Sequence, residues 1–387
     1  MANVLFLGMP SHGHINPTLG LVSELTKRGE SVYYFASEEF RDKIEAAGGI
    51  LKCYNEDLNI FKPQGGALFG IVGKAPGIIA DILAQIEGVD FDYMIHSAAF
   101  LFAKPLTQIL GIPVISSLAV FAGLRDFNST RMKGAFNSGP AMEQYAAAAK
   151  QIEETYKVTM PKDILGLLLD NKAGLNLVYT SEYFVPDREF FDDSYVFVGP
   201  PVYERHEEMD FSFELLDDRR VLYISLGTVF GGFDTSLYQK FFDAFGDWDG
   251  VVVMAAHKVN FGDTASPGNF IIRDYVPQNA LLKRITAAIT HGGMNSMSDL
   301  ISNHVPFVCI PLGADQPQLA ARAGELGAAI SLDAKTLTSG DLRAAVEKVT
   351  GQPKYLENIL KIDQSFREAG GYPKAVNHIF GFVGKQN

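Results

Sequence analysis

Cysteine is nearly absent from this sequence. Its 387 residues include two cysteines, Cys53 and Cys309. Two cysteines cannot form the disulfide framework of a small secreted domain, and Cys309 falls in an apolar run that is typical of a buried strand. The sequence also shows no cluster of cysteine and histidine at the spacing of a metal site. We therefore expect a protein of a reducing compartment without a structural metal.

Long apolar runs and an excess of positive charge are missing as well. The longest apolar candidate, around 98–124, is broken by Lys104 and Pro105 and is too interrupted for a membrane-spanning helix. The N-terminal MANVLFLGMP has no basic region and too short an apolar run for a signal peptide. The net charge of −12 argues against nucleic acid or an anionic membrane as the main partner. These absences predict a cytoplasmic protein with no integral membrane segment.

Several motifs for cofactors and nucleophiles are also absent. No G-x-G-x-x-G follows the first predicted strand, and Gly73-Lys74 lacks the upstream glycine of a P-loop. No G-x-S-x-G marks the nucleophile of an α/β-hydrolase. We therefore expect neither a dinucleotide nor another bound cofactor.

The sequence does contain a regular alternation of apolar strands and helices. Val4–Met9 is a continuous apolar run, as expected for a strand buried on both faces. The alternation pauses in a proline-containing, charged segment and resumes at Val221–Leu226. This pattern predicts an α/β protein with two doubly wound parallel sheets. The domains are predicted over residues 1–200 and 220–368, with a linker over 201–219.

The stretch 275–316 predicts a site for an anion. The predicted strand Ala287–Thr290 runs into a pair of glycines, and a helix is predicted from near Asn295 to about Asn303. Glycines let a ligand approach the backbone, and the free N–H groups and dipole of a helix N-terminus favour a phosphate. The candidate anion ligands are His291, Gly293, Asn295 and Ser296.

A second polar pair follows the next predicted strand, Pro306–Ile310. Asp315 and Gln316 supply an acceptor and an amide, which suit the recognition of hydroxyl groups. An anion site beside such a pair suggests a nucleotide sugar. The alternative is that Asp315 merely caps the helix ahead of Pro317.

His14 is the candidate for acid–base chemistry. It lies just past the carboxyl end of the first predicted strand, where open parallel sheets bind ligands. A neutral imidazole there can accept a proton from a hydroxyl group. The alternatives are a histidine that bonds the backbone at a helix start, and a metal shared with His12, which no carboxylate or cysteine accompanies at ligand spacing. The helix itself is predicted to begin with Asn16 as its cap and Pro17 in first position.

The motifs V-P-Q, T-H-G-G-M-N-S and D-Q together resemble the donor-binding signature of the UDP-glycosyltransferases. The chain is most similar to the bacterial macrolide and flavonoid glycosyltransferases of the Bacillus type, over nearly its whole length. The resemblance implies a GT-B fold, with two Rossmann-like domains facing a cleft and the helix within 369–387 packed back on the first. It also implies inverting, metal-independent transfer of glucose from a UDP-sugar to a small lipophilic acceptor such as a phenol, a flavonoid or a macrolide.

The resemblance also assigns roles to individual residues. His14, in P-x-x-G-H-x-N-P, is the general base, and Ser97 stands where the family has an aspartate partner. Asp92 cannot replace that partner, because it lies at the other end of the strand, about 16 Å away at roughly 3.3 Å per residue. Asp299 stands where the family has a glutamate for the ribose. The donor would be held by Ser225, Thr228, Val276, Gln278, His291, Gly293, Asn295, Ser296, Asp299, Asp315 and Gln316.

Ser97 leaves another function open, that of a nucleotide-sugar-binding auxiliary protein with weak or no catalysis. A nucleotide-sugar epimerase is a further alternative, but it would need a second acid–base group near the donor, which the sequence does not reveal. For the acceptor, segments rich in phenylalanine, leucine, glycine and alanine predict a lipophilic pocket. These segments are Phe61–Ile71, Phe100–Phe102 and Phe121–Phe136.

Overall fold

Two parallel β-sheets form the framework of this chain. The computed structural model describes residues 2–59, 67–119, 139–169, 172–201, 211–227, 235–257, 259–262, 265–313 and 315–384, with only the backbone of 67–69 and 168–169. Contacts divide the chain into two compact units. The N-terminal unit comprises 1–182, 187–203 and 369–387, and the C-terminal unit comprises 183–186 and 204–368.

The N-terminal unit contains a seven-stranded sheet in the order β3-β2-β1-β4-β5-β6-β7. All its strand pairs are parallel. β4 and β5 are buried along their whole length, which explains their continuous run of apolar and small residues. The strands are β1 Asn3–Leu7, β2 Ser31–Ala36, β3 Ile50–Cys53, β4 Tyr93–Ser97, β5 Val114–Leu118, β6 Leu175–Val178 and β7 Tyr195–Phe197.

Helices connect these strands, and the last helix of the chain packs on the first. Tyr372 donates a hydrogen bond of 2.7 Å to the Pro17 carbonyl. Gly20 makes room for the Tyr372 ring, because a Cβ at residue 20 would lie 2.0 Å from it. The α-helices are His12–Lys27, Arg41–Ala46, Ala67–Gly73, Ala75–Gln85, Ala103–Leu110, Pro140–Tyr156, Ile164–Leu169 and Gly371–Gly384, and the 3-10 helices are Glu38–Phe40 and Arg188–Phe190.

The C-terminal unit contains a six-stranded parallel sheet in the order β10-β9-β8-β11-β12-β13. Its strands are β8 Val221–Ser225, β9 Val251–Ala255, β10 Phe270–Arg273, β11 Ala287–Thr290, β12 Phe307–Cys309 and β13 Ala329–Ser331. Its helices are the 3-10 helix Phe213–Leu216 and the α-helices Thr235–Phe245, Gln278–Leu281, Met294–Ser302, Gln316–Glu325, Ser339–Gly351 and Pro353–Glu368.

The predicted α/β class with two doubly wound, Rossmann-like sheets is confirmed. Of the predicted linker, residues 202–210 lie outside the described residues. None of the described helices has the length and apolar character that a membrane crossing requires.

The start of the first helix was predicted wrongly. The helix begins at His12 with Ser11 as its cap, and Pro17 lies inside it. The amides of His14 and Ile15 donate to the Ser11 carbonyl at 3.0 and 2.9 Å, so the first turn is already formed before Asn16. Pro17, the sixth residue of the helix, has no N–H group and so cannot donate an intrahelical hydrogen bond. His14 therefore lies within the first helical turn and not in a preceding loop.

Candidate functional site

Each sheet reverses its strand order once, and the polar candidates lie at these points. The reversal falls between β1 and β4 in the N-terminal unit, and between β8 and β11 in the C-terminal unit. At such a reversal the connections leave in opposite directions and open a crevice at the carboxyl ends of the strands. His14 follows β1 and Ser97 ends β4, whereas Ser225 and Thr290 end β8 and β11 as partners in register.

His14 and Ser97 meet at the first of these crevices. The Ser97 Oγ lies 3.3 Å from the His14 Nδ1, and both residues are buried. The Ala99 amide donates to the same Oγ at 3.3 Å, so the hydroxyl is anchored to the turn that follows β4. Asp92 lies at the start of β4, where its carboxylate accepts from the Asn3 amide at 2.7 Å. The strand thus separates that carboxylate from His14.

Burial keeps the His14 ring neutral. It lowers the pKa of His14 from the ordinary 6.5 to about 4, so the imidazole has a lone pair to accept a proton at neutral pH. Ser97 can either donate to Nδ1 or accept from it, whereas a carboxylate can only accept. The serine therefore does not select the tautomer in which Nε2 is the basic atom, and it does not stabilise the charged ring.

The other face of the β4 terminus carries a second buried histidine. His96 Nδ1 donates to the Ser97 carbonyl at 2.9 Å, and burial lowers the pKa of His96 to about 4. Among the described residues, no three His, Cys, Asp or Glu side chains come together as a metal site would require.

At the second crevice, three of the predicted donor ligands line one pocket. They are Ser225, Gln278 and Ser296, and Tyr223 and Thr290 line it with them. Ser225 ends β8, Gln278 begins the short helix Gln278–Leu281, and Ser296 lies in the first turn of the helix Met294–Ser302. The structure therefore brings together candidates from three separate motifs.

His291 is packed between two glycines. A Cβ at Gly227 would lie 2.9 Å from the His291 Nε2, and one at Gly293 would lie 2.5 Å from it. Gly227 also has a φ of +78°, which favours glycine. Burial lowers the pKa of His291 to about 4, and its Nδ1 has no hydrogen-bond partner among the described residues. The neutral ring still carries one N–H group that can donate to a ligand.

The helix Met294–Ser302 presents its N-terminus at this pocket. Gly293 is its cap residue, in an extended conformation, and no side chain caps the helix there. The backbone N–H groups of the first turn therefore point out of the helix end together with its positive dipole. Asn295 and Ser296 belong to this turn. This arrangement suits a diphosphate.

Gln278 and Asp299 are joined at the same pocket. The Gln278 Nε2 donates to the Asp299 Oδ2 at 2.8 Å. Val276, two residues before Gln278, is buried and fixes the extended backbone that precedes Pro277.

Asp315 and Gln316 begin the helix Gln316–Glu325. Asp315 occupies the cap position that the capping alternative gave it, but its side chain makes no capping hydrogen bond. Gln316 is buried, and its Oε1 accepts from the amides of Leu312 and Gly313 at 2.8 and 3.2 Å. This amide holds the loop after β12, and its NH2 group is the part that can serve a ligand hydroxyl.

Some predictions fall outside the described residues. These are Thr228, most of Phe61–Ile71, and Phe121–Phe136. The third acceptor segment, Phe100–Phe102, belongs to the core, since its residues are at most 2% exposed. It packs against Tyr54 and does not line an open pocket.

Two polar residues of the pocket were missed by the motif analysis. Tyr223 donates to the Gln278 Oε1 at 3.2 Å, and the Thr290 Oγ1 accepts from the Gly292 amide at 3.2 Å. The alternation of side chains along a strand could have found Tyr223, because it lies two residues before Ser225 and faces the same side.

Comparison with known proteins agrees with this geometry. Residues 208–370 match the family described as UDP-glucoronosyl and UDP-glucosyl transferase. The whole chain is similar to two uncharacterised UDP-glucosyltransferases of Bacillus subtilis strain 168. YojK is 32% identical, over 99% of this chain and 98% of the relative. YdhE is 33% identical, over 100% of both chains.

Among solved structures, the chain resembles the glycotransferase of kitacinnamycin. The TM-score is 0.85 at 25% identity, with 98% of each chain covered. The two parallel-sheet units are those of the GT-B fold. The chain therefore belongs to the UDP-glycosyltransferase family, and it is a glycosyltransferase.

Proposed function

We propose that this glycosyltransferase is inverting and metal-independent, and that it transfers glucose from UDP-glucose to a hydroxyl group of a small lipophilic acceptor. His14 is the general base. The observation that carries the proposal is the buried, neutral His14 in contact with Ser97 at the crevice between β1 and β4. The names of YojK and YdhE support a UDP-glucose donor, and the kitacinnamycin enzyme supports a natural-product acceptor.

In the proposed reaction, the acceptor oxygen attacks the anomeric carbon of the donor and the bond from that carbon to the diphosphate breaks. His14 takes the proton that the acceptor hydroxyl loses. The negative charge that develops on the leaving UDP is stabilised by the first-turn N–H groups of Met294–Ser302, with His291 and Ser296 as further donors. Inversion follows from a single displacement at that carbon.

Ser97 bears on the class of acceptor. Without a carboxylate beside it, a buried imidazolium ion is poorly stabilised. A phenol loses its proton far more readily than an aliphatic alcohol, so it depends less on the base. We therefore propose phenols and flavonoids as better acceptors than aliphatic alcohols such as those of macrolides.

The test is the release of UDP and the mass of the product, with UDP-glucose and a panel of phenols, flavonoids and macrolides. His14→Ala is expected to lower the turnover by roughly a hundredfold or more, since general bases contribute factors of this order. His378→Ala, which removes an exposed histidine of the last helix, is the matched control and should retain the wild-type rate. Ser97→Asp is expected to raise the rate, most strongly with aliphatic acceptors.

A rival function rests on the same serine. If the wild type binds UDP tightly but transfers glucose to no acceptor, and Ser97→Asp does not restore transfer, the protein acts as a nucleotide-sugar-binding auxiliary. Equal rates for the wild type and His14→Ala would instead reject His14 as the base.

A further inference from the structure

Three polar side chains of the C-terminal unit form a hydrogen-bonded chain, and two of them, Tyr223 and Gln278, line the pocket. Tyr223 donates to the Gln278 Oε1 at 3.2 Å, and the Gln278 Nε2 donates to the Asp299 Oδ2 at 2.8 Å. Tyr223 lies on β8, Gln278 on the helix Gln278–Leu281 and Asp299 on the helix Met294–Ser302. The chain of bonds therefore links three elements that are separate in sequence.

The direction of these bonds is fixed by chemistry. An ionised carboxylate can only accept hydrogen bonds, so the NH2 group of Gln278 must face Asp299. The amide oxygen then faces Tyr223, and the tyrosine hydroxyl must act as the donor. A flipped amide would turn its oxygen towards the carboxylate and lose the bond to Asp299, while Tyr223 would accept from its NH2 group.

The low exposure of these three side chains strengthens their hydrogen bonds. Tyr223 is 5% exposed, and Gln278 and Asp299 are partly buried, so water competes only weakly for these bonds. Asp299 also reaches less far than a glutamate would, by one methylene group.

We propose that Tyr223 is a positioning residue for the nucleoside of the donor. Its hydroxyl anchors the Gln278 amide, whose direction Asp299 sets, and the anchored amide in turn holds the Asp299 carboxylate towards the ribose hydroxyl groups. This inference rests on the proposed function, and on the family resemblance that places Asp299 at the ribose and Gln278 among the donor ligands. It adds that Tyr223, which touches neither the diphosphate nor the reacting carbon, sets the preference for a ribose over a 2′-deoxyribose.

The first test is calorimetric titration of the protein with UDP and with 2′-deoxy-UDP. Tyr223→Phe keeps the ring and removes only the hydroxyl. It is expected to weaken UDP binding by roughly three- to tenfold, the effect of one hydrogen bond, and to weaken 2′-deoxy-UDP binding less. In kinetics the KM for UDP-glucose should rise while kcat stays within about twofold, because the bond is present in both the ground and transition states.

Tyr238→Phe is the matched control. It removes another buried tyrosine hydroxyl of the same unit, from the helix Thr235–Phe245, and Tyr238 does not line the pocket. Both nucleotide affinities of this variant should equal those of the wild type. Its thermal unfolding shows what the loss of a tyrosine hydroxyl alone does to the fold.

A double-mutant cycle separates positioning from general support of the fold. In Asp299→Asn the residue can donate as well as accept, so the Gln278 amide no longer has a fixed direction. Adding Tyr223→Phe to this variant should then change UDP affinity by less than it does in the wild type. If Tyr223→Phe does not fold, Gln278→Met interrupts the same chain of bonds at its centre and should show the same reduced preference for UDP.

The outcomes are distinguishable. A wild type that does not bind UDP would reject the proposed function itself. If the wild type binds UDP, and Tyr223→Phe and Gln278→Met both keep the wild-type preference for UDP over 2′-deoxy-UDP, only the positioning role is overturned. The positioning role is also overturned if Tyr223→Phe weakens the binding of UDP and of 2′-deoxy-UDP equally, and if its effect adds to that of Asp299→Asn in the double-mutant cycle. Tyr223 would then only support the pocket wall.

Discussion

At the scale of single residues, the site depends on what a hydroxyl can do beside an imidazole. The contact of 3.3 Å between Ser97 and His14 orients the ring but adds no charge. A base with a low pKa is neutral near physiological pH and can therefore accept a proton there, but it binds that proton weakly. The pH dependence of the reaction therefore reports directly on the partner of His14.

The wild-type kcat/KM should stay nearly constant as the pH is lowered from 8 to about 5.5, and it should fall as the pH passes through the His14 pKa of about 4. In Ser97→Asp the carboxylate favours the charged ring, so the acid limb should move up by roughly one to three pH units. Initial rates with a phenolic acceptor across this range are the measurement. An acid limb near pH 6.5 in the wild type would show that burial does not control this pKa.

Ser97 lies against His14, the pairing that the family resemblance suggested, whereas the contacts of Tyr223 were not predicted. P-x-x-G-H and T-H-G-G-M-N-S point to His14 and His291, because open parallel sheets bind ligands at the carboxyl ends of their strands. Alternation along β8 places Tyr223 on the same side as Ser225, but it does not reveal the partner Gln278, which is 55 positions away in the chain. Only the pairing of β8 with its neighbours brings that tyrosine to the pocket.

At the scale of elements, the anion site at the N-terminus of the helix Met294–Ser302 depends on the turn that precedes the helix. His291 fits between Gly227 and Gly293 only because neither carries a Cβ. Gly293 itself has a φ of −68°, which any residue can adopt. Its small size is therefore required by contact with the imidazole and not by backbone conformation.

Gly293→Ala is expected to displace the His291 ring, because the new Cβ would lie 2.5 Å from Nε2. We expect UDP affinity to fall by roughly tenfold or more, as for the loss of a hydrogen bond to a charged group. Gly324→Ala is the control: a Cβ there meets nothing within 4 Å, and alanine should stabilise the helix Gln316–Glu325 by about 0.5–1 kcal/mol. Titration with UDP and thermal unfolding test the pair. Unchanged UDP affinity in Gly293→Ala would exclude His291 as a ligand of the diphosphate.

Element boundaries were predictable where a side chain sets them. Thr338 and Asp341 cap the helix Ser339–Gly351 reciprocally, and this T-x-x-D spacing is visible in the sequence. The first helix was misplaced because Asn16-Pro17 resembles a helix start, while Ser11 begins the helix with its backbone carbonyl and without a side-chain bond. A cap of this kind leaves little trace in sequence.

At the scale of the whole molecule, both units carry neutral histidines with desolvated rings. His14 and His96 belong to the N-terminal unit and His291 to the C-terminal unit, and the pKa of each is lowered to about 4. Unfolding returns these pKa values to about 6.5. Between pH 6.5 and 4 the unfolded chain therefore binds more protons, and the folded state loses stability as the pH falls.

We expect the unfolding free energy to fall by up to about 1.4 kcal/mol per pH unit for each such histidine within this window. Urea unfolding at pH 7, 6 and 5 measures the slope. If the units unfold separately, the transition of the N-terminal unit should shift about twice as much as that of the C-terminal unit. His96→Gln keeps an N–H donor near the Ser97 carbonyl and should reduce the pH dependence of the unfolding free energy of the N-terminal unit. An undiminished pH dependence would contradict the lowered pKa of His96.

The packing of the last helix on the first has a consequence for synthesis on the ribosome. All of the C-terminal unit, residues 183–186 included, has been translated once residue 368 has emerged, but the N-terminal unit still lacks the helix Gly371–Gly384. Until that helix arrives, the groove at Gly20 that receives Tyr372 stays open, and apolar surface that Val376 and Ile379 would cover is exposed to chaperones. The half of the chain that is translated first is thus finished last, and the helix that carries His14 is secured only once residues 371–384 have been made.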